Sequence, residues 1–155
     1  MSVESVRAFF AERAPDIEVI ELPVPTATVA LAAQAHGVEP ARIAKTLSLR
    51  VGERNLLVVA SGDSRLDNRK LRSVLGGKAR MLDAAQVLAL TGHPVGGVCP
   101  FGLATPLPVY CDVSLQAFDE VIPAAGGVNT AVRIAPQRLA ELVDGAWVDL
   151  CQQIP

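Results

Sequence analysis

Residues 84–111 run for 28 positions without an Asp, Glu, Lys or Arg, and no other feature of the chain restricts its fold as much. A span of that length is long enough to be tested as a membrane helix. It fails the test, because Gly92, Gly96, Gly97, Gly102, Pro94, Pro100, Pro106 and Pro108 fall within it and would leave backbone groups unpaired in lipid. The stretch must instead be covered by the protein's own core. With 155 residues, half of them apolar, and a mean hydropathy of +0.35, the chain has material for one domain over residues 1–155. A domain of this size buries about 68–70% of the unfolded surface. Disordered and fibrous classes are excluded by the same composition.

Only 19% of the residues are charged and the net charge is −2. No global positive field therefore holds the protein on DNA or an anionic membrane, and a polyanionic partner has to be met by a local patch. Between residues 65 and 80, Arg65, Arg69, Lys70, Arg72, Lys78 and Arg80 are offset by Asp67 alone, so this segment is +5 while the remaining chain is −7. Arg65, Arg69 and Arg72 share one side if a helix capped by Asp67 extends back by a turn, and Lys78 and Arg80 alternate onto one face of a following strand. A contact to the phosphates of a polyanionic partner and an ordinary solvated face both account for the run. Glu4, Arg7, Glu12 and Arg13 interrupt the N-terminal region, which lacks the uncharged core of a secretory signal, so a cytoplasmic location is expected. Cys99, Cys111 and Cys151 are odd in number and form no C-x-x-C pair. That argues for reduced thiols and against a disulfide framework or a zinc site.

Ser2 is placed to cap a first helix bearing Val6 and Phe10, and a short strand is expected over 17–22. Residues 28–36 read as an Ala-rich helix stopped by Gly37. Two strand-like runs, 43–51 and 55–60, are joined at Gly52-Glu53-Arg54 as a hairpin. Asp67 caps a helix ending at Gly76-Gly77, a short strand covers 78–82, and Asp83 with Gln86 forms a capping box for a helix stopping at Gly92. Strands over 107–113, 120–124 and 130–134, a helix from Pro136, and a closing segment over 147–150 complete the pattern. Helices and strands are interspersed without regular alternation, which predicts an α+β domain around a mixed sheet.

Three places break local rules. Lys45 shares a strand face with Ile43, Leu47 and Leu49. Its amine either snorkels to water or lines a cavity where poor solvation makes the charge effective on an anion. The loop 92–102 is apolar and glycine-rich, as a preorganised set of backbone donors or a buried crossover would be. Gly126-Gly127 lies between two strand-like runs, as a hairpin turn or a second wall of the same pocket. His93 and Cys99 share the first loop and can be drawn as a thiolate and imidazole pair, but no third group orients them. Asp112, between Cys111 and Val113, is expected to accept backbone hydrogen bonds.

The order Ala44-Lys45-Thr46-Leu47, Gly92-His93-Pro94-Val95-Gly96-Gly97-Val98-Cys99-Pro100-Phe101-Gly102, Ala125-Gly126-Gly127 and Trp147-Val148-Asp149-Leu150 resembles the YbaK and prolyl-tRNA synthetase-associated editing domain family. The resemblance implies a mixed, mostly antiparallel, partly barrel-like sheet surrounded by helices. It also implies a free-standing trans-editing enzyme that deacylates mischarged tRNA, commonly tRNA(Pro) bearing a small wrong amino acid, with no cofactor or metal. By position, Lys45 matches the family's functional lysine, and Thr46, Gly96, Gly97, Pro100, Gly102, Gly126, Gly127 and Asn129 match or flank its substrate-binding motifs. Mischarged tRNA and prolyl-tRNA synthetase are the implied partners, with the tRNA phosphates meeting Arg65, Arg69, Arg72, Lys78 and Arg80. The alternative is a non-catalytic module of the same fold that binds aminoacyl-tRNA or a synthetase. A thiol hydrolase acting through Cys99 stands third.

Overall fold

The computed structural model describes residues 2–152. Its helices are α1 (Ser2–Arg13), α2 (Val29–His36), α3 (Asn68–Leu75), α4 (Ala84–Thr91) and α5 (Pro136–Leu142). The strands are β1 (Ile20–Glu21), β2 (Ile43–Val51), β3 (Arg54–Ser61), β4 (Ala79–Met81), β5 (Val109–Asp112), β6 (Ile122–Pro123), β7 (Thr130–Ala131) and β8 (Ala146–Val148). Short 3-10 turns at Pro40–Arg42 and Val113–Ala117 add to the expected pattern. No helix among the described residues is long and apolar enough to cross a membrane.

The β2–β3 hairpin is the centre of the molecule. Its strands turn at Gly52 and Glu53 and pair antiparallel from Val51↔Arg54 to Ala44↔Ser61. Residues 56–60 of β3 are apolar on both faces, the mark of a strand covered on two sides. Leu56 and Val58 pack with Leu49, Val51, Leu71, Leu75 and Leu150 beneath α3. Leu57 and Val59 pack the opposite way, against Val6, Phe10, Phe101, Leu115 and Leu139. Phe9, Phe10 and Phe101 meet with ring centroids 4.7 to 5.6 Å apart, which fastens α1 to the glycine-rich loop.

Around the hairpin the sheet order is β4-β2-β3-β5-β8, with β6 joined to β2, while β1 and β7 form a separate two-stranded ladder. β4 joins antiparallel, whereas β5, β6 and β8 join parallel. The architecture is the expected mixed α+β domain. The sheet is open, however, with β4 and β8 at its ends, which corrects the partly barrel-like expectation.

The helix boundaries follow their capping residues. Thr28 Oγ1 accepts from Leu31 N–H at 3.1 Å, Asp67 accepts from Arg69 and Lys70 N–H, and Asp83 with Gln86 forms a complete capping box. Gly37, Gly76 and Gly92 end α2, α3 and α4 in the left-handed conformation that glycine adopts without cost. Three expectations fail locally. Ser2 lies inside α1, and its hydroxyl donates to Gly126 O rather than capping the helix. α3 does not extend back past Asp67, because Leu66 bridges Cys151 and Arg65 O accepts from Gln152 N–H at 2.8 Å. Arg65 is thereby removed from the helical row of Arg69 and Arg72, and Lys78 precedes β4 rather than alternating within it.

Candidate functional site

A cavity of about 300 Å³ is bounded by α2, the middle of β2, residues 26–28, the loop around Gly96, and the β6 and β7 region. Its position follows from a gap in the sheet. On the side of β2 away from β3, β6 pairs with Ile43 and Ala44, and β4 pairs with Leu49, Arg50 and Val51. Residues 45–48 have no strand neighbour there. Val51 and Arg54 flank a two-residue turn and so form a hydrogen-bonded pair, which directs the backbone groups of odd-numbered β2 residues toward β3. Even-numbered residues direct theirs the other way, as the bond from Leu82 N–H to Ser48 O at 3.0 Å shows. Thr46 therefore presents its backbone N–H and C=O to the gap, without a strand to pair them.

Two further polar groups at this wall lack partners. The hydroxyl of Thr46 and Nε2 of His36 are buried and make no hydrogen bond to the described residues, and both residues line the cavity. Unpaired buried groups are rare in folded proteins and call for a specific explanation. Burial, and then the Arg133 charge, hold the His36 pKa below its ordinary value, favouring the neutral imidazole. The remaining wall includes Ala27, Ala32, Ala44, Ala124 and Ala131, which keeps the chamber narrow and apolar.

Among the described residues that line the cavity, Lys45 alone is formally charged. Its ammonium does not stand unpaired. Nζ donates to Ser64 O and, at 3.3 Å, to Gly62 O, in the turn that leaves β3. Burial pushes its pKa down, against smaller upward effects of Cys151 and Asp63. The cation is thus half-buried and held by two backbone carbonyls.

The glycine motifs divide by role. Gly96 lines the cavity, and a Cβ there would lie 2.8 Å from Ala27 Cβ. Gly97 instead joins the two glycine loops. Its N–H donates to Pro94 O, its carbonyl accepts from Gly126 N–H at 2.9 Å, and an added Cβ would sit 2.8 Å from the Gly126 carbonyl carbon. Gly102 and Gly126 give the same close approach to α1 at Ser5 and Ser2. Gly127 N–H is taken by Thr130 Oγ1 at 2.9 Å, Pro100 is buried, and Asn129 Nδ2 donates to Leu22 O at 3.0 Å. Of the loop N–H groups at the cavity, those of Gly96 and Val98 make no hydrogen bond to the described residues.

His93 and Cys99 do meet, with Sγ 3.6 Å from Nε2, but both side chains are fully buried outside the cavity. Nε2 lies 2.7 Å from Phe101 O, which fixes it as the protonated nitrogen and leaves no base for the thiol. Burial pushes the Cys99 pKa up to about 12. Asp112 accepts from Leu150 N–H at 2.7 Å and Ser114 N–H at 2.9 Å, the backbone-binding role its sequence context suggests.

The basic segment is split by the sheet. Arg69 and Arg72 are exposed on α3, which covers the Leu49 and Val51 face. Thr46 and Ser48 point to the other face, and so does Arg80, which lies directly opposite Arg50. Sequence reading passed over Arg50, although the polar row Thr46, Ser48, Arg50 in an otherwise apolar hairpin was a signal for it.

The sequence profile of the aminoacyl-tRNA editing domain matches residues 23–142. The chain is 46% identical over 154 residues to the uncharacterized protein YwhH of Bacillus subtilis, covering 98% of each. It is 32% identical to EbsC of Enterococcus faecalis, provisionally named a Cys-tRNA(Pro)/Cys-tRNA(Cys) deacylase, over 76% of this chain and 73% of that protein. A crystal structure provisionally described as a trans-editing enzyme for prolyl-tRNA synthetase superposes with a TM-score of 0.91 at 35% identity, covering 98% of both chains.

Proposed function

The chain belongs to the aminoacyl-tRNA editing domain family, and from that premise we propose that it hydrolyses the ester of mischarged tRNA(Pro) carrying a small non-cognate amino acid. The observation that carries this reading is the unpaired stretch of β2 at Thr46, inside an apolar cavity walled by alanines. An aminoacyl ester offers an α-ammonium donor and a carbonyl acceptor close together. Thr46 offers the complementary pair, a free C=O and a free N–H.

In this reading the α-ammonium donates to Thr46 O, and the ester carbonyl accepts from N–H groups of Thr46 or Gly96. Water adds to the carbonyl carbon, and negative charge grows on the oxygen those donors hold. Fixed donors in a poorly solvated site favour that charge more than the neutral ester. Lys45 adds a fixed positive field at the same wall. The C–O bond to the ribose then breaks, the ribose oxygen takes a proton, and free amino acid and uncharged tRNA leave. Because the ester is already activated, the step needs no strong side-chain nucleophile. Prolyl-tRNA synthetase is the proposed supplier of the mischarged substrate.

The test is release of free amino acid from a panel of tRNA(Pro) species carrying alanine, cysteine, serine, 2-aminobutyrate and proline. Turnover of one or more small non-cognate species with proline spared supports the reading. Binding without release from any of them overturns it in favour of a non-catalytic module.

A further inference from the structure

We propose that His36 is a specificity-determining residue, whose imidazole selects a substrate carrying an amino acid with a short hydroxylated side chain. The inference rests on the deacylase reading and names the substrate class of that same cavity.

The chemistry of the wall narrows the choice. Among the described lining residues there is no Asp or Glu, so a cationic side chain would enter without a counter-charge. An anionic one meets no free cation, because the Lys45 ammonium is already committed to the carbonyls of Gly62 and Ser64. The side chain taken is therefore neutral. Thr26 Oγ1 donates to Val128 O at 3.2 Å, Thr28 Oγ1 accepts from Leu31 N–H at 3.1 Å, and Thr130 Oγ1 accepts from Gly127 N–H at 2.9 Å. Those lining hydroxyls are engaged within the protein. His36 Nε2 and Thr46 Oγ1 are buried at the same cavity and have no partner among the described residues. A wholly apolar amino acid would leave both unpaired.

Position assigns the imidazole to the amino acid's side chain. Met81 and Val95, 60% and 62% exposed, mark the mouth of the cavity, while Ala32, Ile122 and Ala131 are buried and mark its closed end. The ribose of an ester held at Thr46 must leave through the mouth toward the rest of the tRNA. That turns the amino acid's side chain inward. There Val29, Ala32 and His36, spaced by three and four, present one stripe of α2 to the cavity. Arg133, just beyond β7, donates to His36 O at 3.3 Å and seats this end of the helix. Ala32 offers only a methyl, which leaves the imidazole as the polar feature of the stripe. A neutral imidazole has one nitrogen that donates and one that accepts, so Nε2 does one or the other according to tautomer. A hydroxyl does both and pairs with it in either case. A methyl pairs in neither, and a thiol pairs weakly. Serine and 2-aminobutyrate make the comparison direct, since they differ by a hydroxyl against a methyl of similar size.

The experiment measures kcat/KM for tRNA(Pro) charged with serine or with 2-aminobutyrate, using wild type, His36→Leu and His36→Gln, with thermal unfolding of each. Wild type should favour serine by about 10–100-fold, the range set by one hydrogen bond made or left unmade in a buried site. His36→Leu should bring the ratio to about one or reverse it, with a melting temperature equal to or above wild type. His36→Gln, which keeps a neutral donor and acceptor, should restore part of the preference. A purely structural His36 would shift both substrates together and leave their ratio as it was, which would overturn the proposal. A wild type that takes both alike or prefers 2-aminobutyrate would do the same. Binding of the seryl and 2-aminobutyryl amides of 3′-amino-3′-deoxyadenosine, which lack the labile ester, separates this selectivity from hydrolysis. A preference for the seryl amide that His36→Leu abolishes, in a protein that releases no amino acid from either tRNA, would overturn the deacylase reading and leave the selectivity standing. Equal affinity of wild type for the two amides would overturn the selectivity.

Discussion

Replacing Lys45 with Ala separates two accounts of this residue, and the structure sets the size of the effect. Nζ satisfies the carbonyls of Gly62 and Ser64. Ser64 is buried, while Gly62 is half-buried, so water can replace the ammonium at one carbonyl more readily than at the other. An unsatisfied buried group costs about 1–3 kcal/mol, and a charged hydrogen bond contributes about 1.5–3 kcal/mol. Against this, removing the lysine ends the cost of holding a cation in a poorly solvated position. A net loss of about 2 kcal/mol follows, or a melting temperature lower by about 4–8 °C for a chain of this length. Lys45→Met, which keeps much of the stem without the donor, should lose a similar amount. Urea and thermal unfolding measure this directly. Deacylation measured well below the melting range should fall by about 10²-fold or more, since a fixed cation at the cavity wall is removed. If Lys45→Ala melts within a degree of wild type, the ammonium is not held by the 62–64 turn and the argument fails. A normal kcat/KM in the folded variant would confine Lys45 to a structural role.

Thr46→Val removes a buried hydroxyl that has no partner among the described residues, so stability should hold or rise by up to about 1 kcal/mol; a fall in kcat/KM of about tenfold would show that the hydroxyl contacts substrate, and unchanged kinetics would exclude that contact. Gly97→Ala should destabilise by about 1–3 kcal/mol, because its Cβ would press on the backbone of Gly126 and Gly127; chemical denaturation that shows no loss would contradict the packing role. Cys99→Ser should retain turnover, and the native protein should resist thiol labelling at Cys99 at pH 8, given full burial and a pKa pushed up to about 12; rapid labelling with loss of activity would restore the thiol mechanism.

Much of the scaffold could be read from local chemistry. The β2–β3 hairpin is written in two apolar runs around Gly52, and the ends of α2, α3 and α4 in Thr28, Asp67, Asp83 and their closing glycines. These features need only neighbours in the chain. The site depends on distant segments. The gap beside Thr46 exists because β4 and β6, more than 25 residues downstream, stop short of one another, and no periodicity in β2 records where its partners end. The same limit applies to the glycine motif. Gly96 and Gly97 are adjacent, yet one faces the cavity and the other is pressed against a loop about 30 residues away, a distinction fixed only by tertiary contact. Lys45 stands out in the sequence as a cation on an apolar face, but its carbonyl partners lie beyond the hairpin and leave no local mark. Charge counting finds the basic segment without finding that the sheet divides it.

The helix at the N-terminus has a consequence for how the site breathes. Ser2 donates to Gly126 O and Ser5 donates to Gly102 O at 3.1 Å, while Gly126 N–H is bonded to Gly97 O. One rod therefore holds both glycine loops, and the loops also hold each other. Neither can swing out alone without breaking bonds that secure its neighbour. Opening of this wall should accordingly be a single cooperative excursion, in which α1 detaches and both loops loosen together. The backbone amides of Gly97 and Gly126 should then exchange with solvent deuterium at matched rates. Their protection should fall in parallel when the bonds at Ser2 and Ser5 are removed, although these serines lie at the far end of the sequence from the loops they restrain.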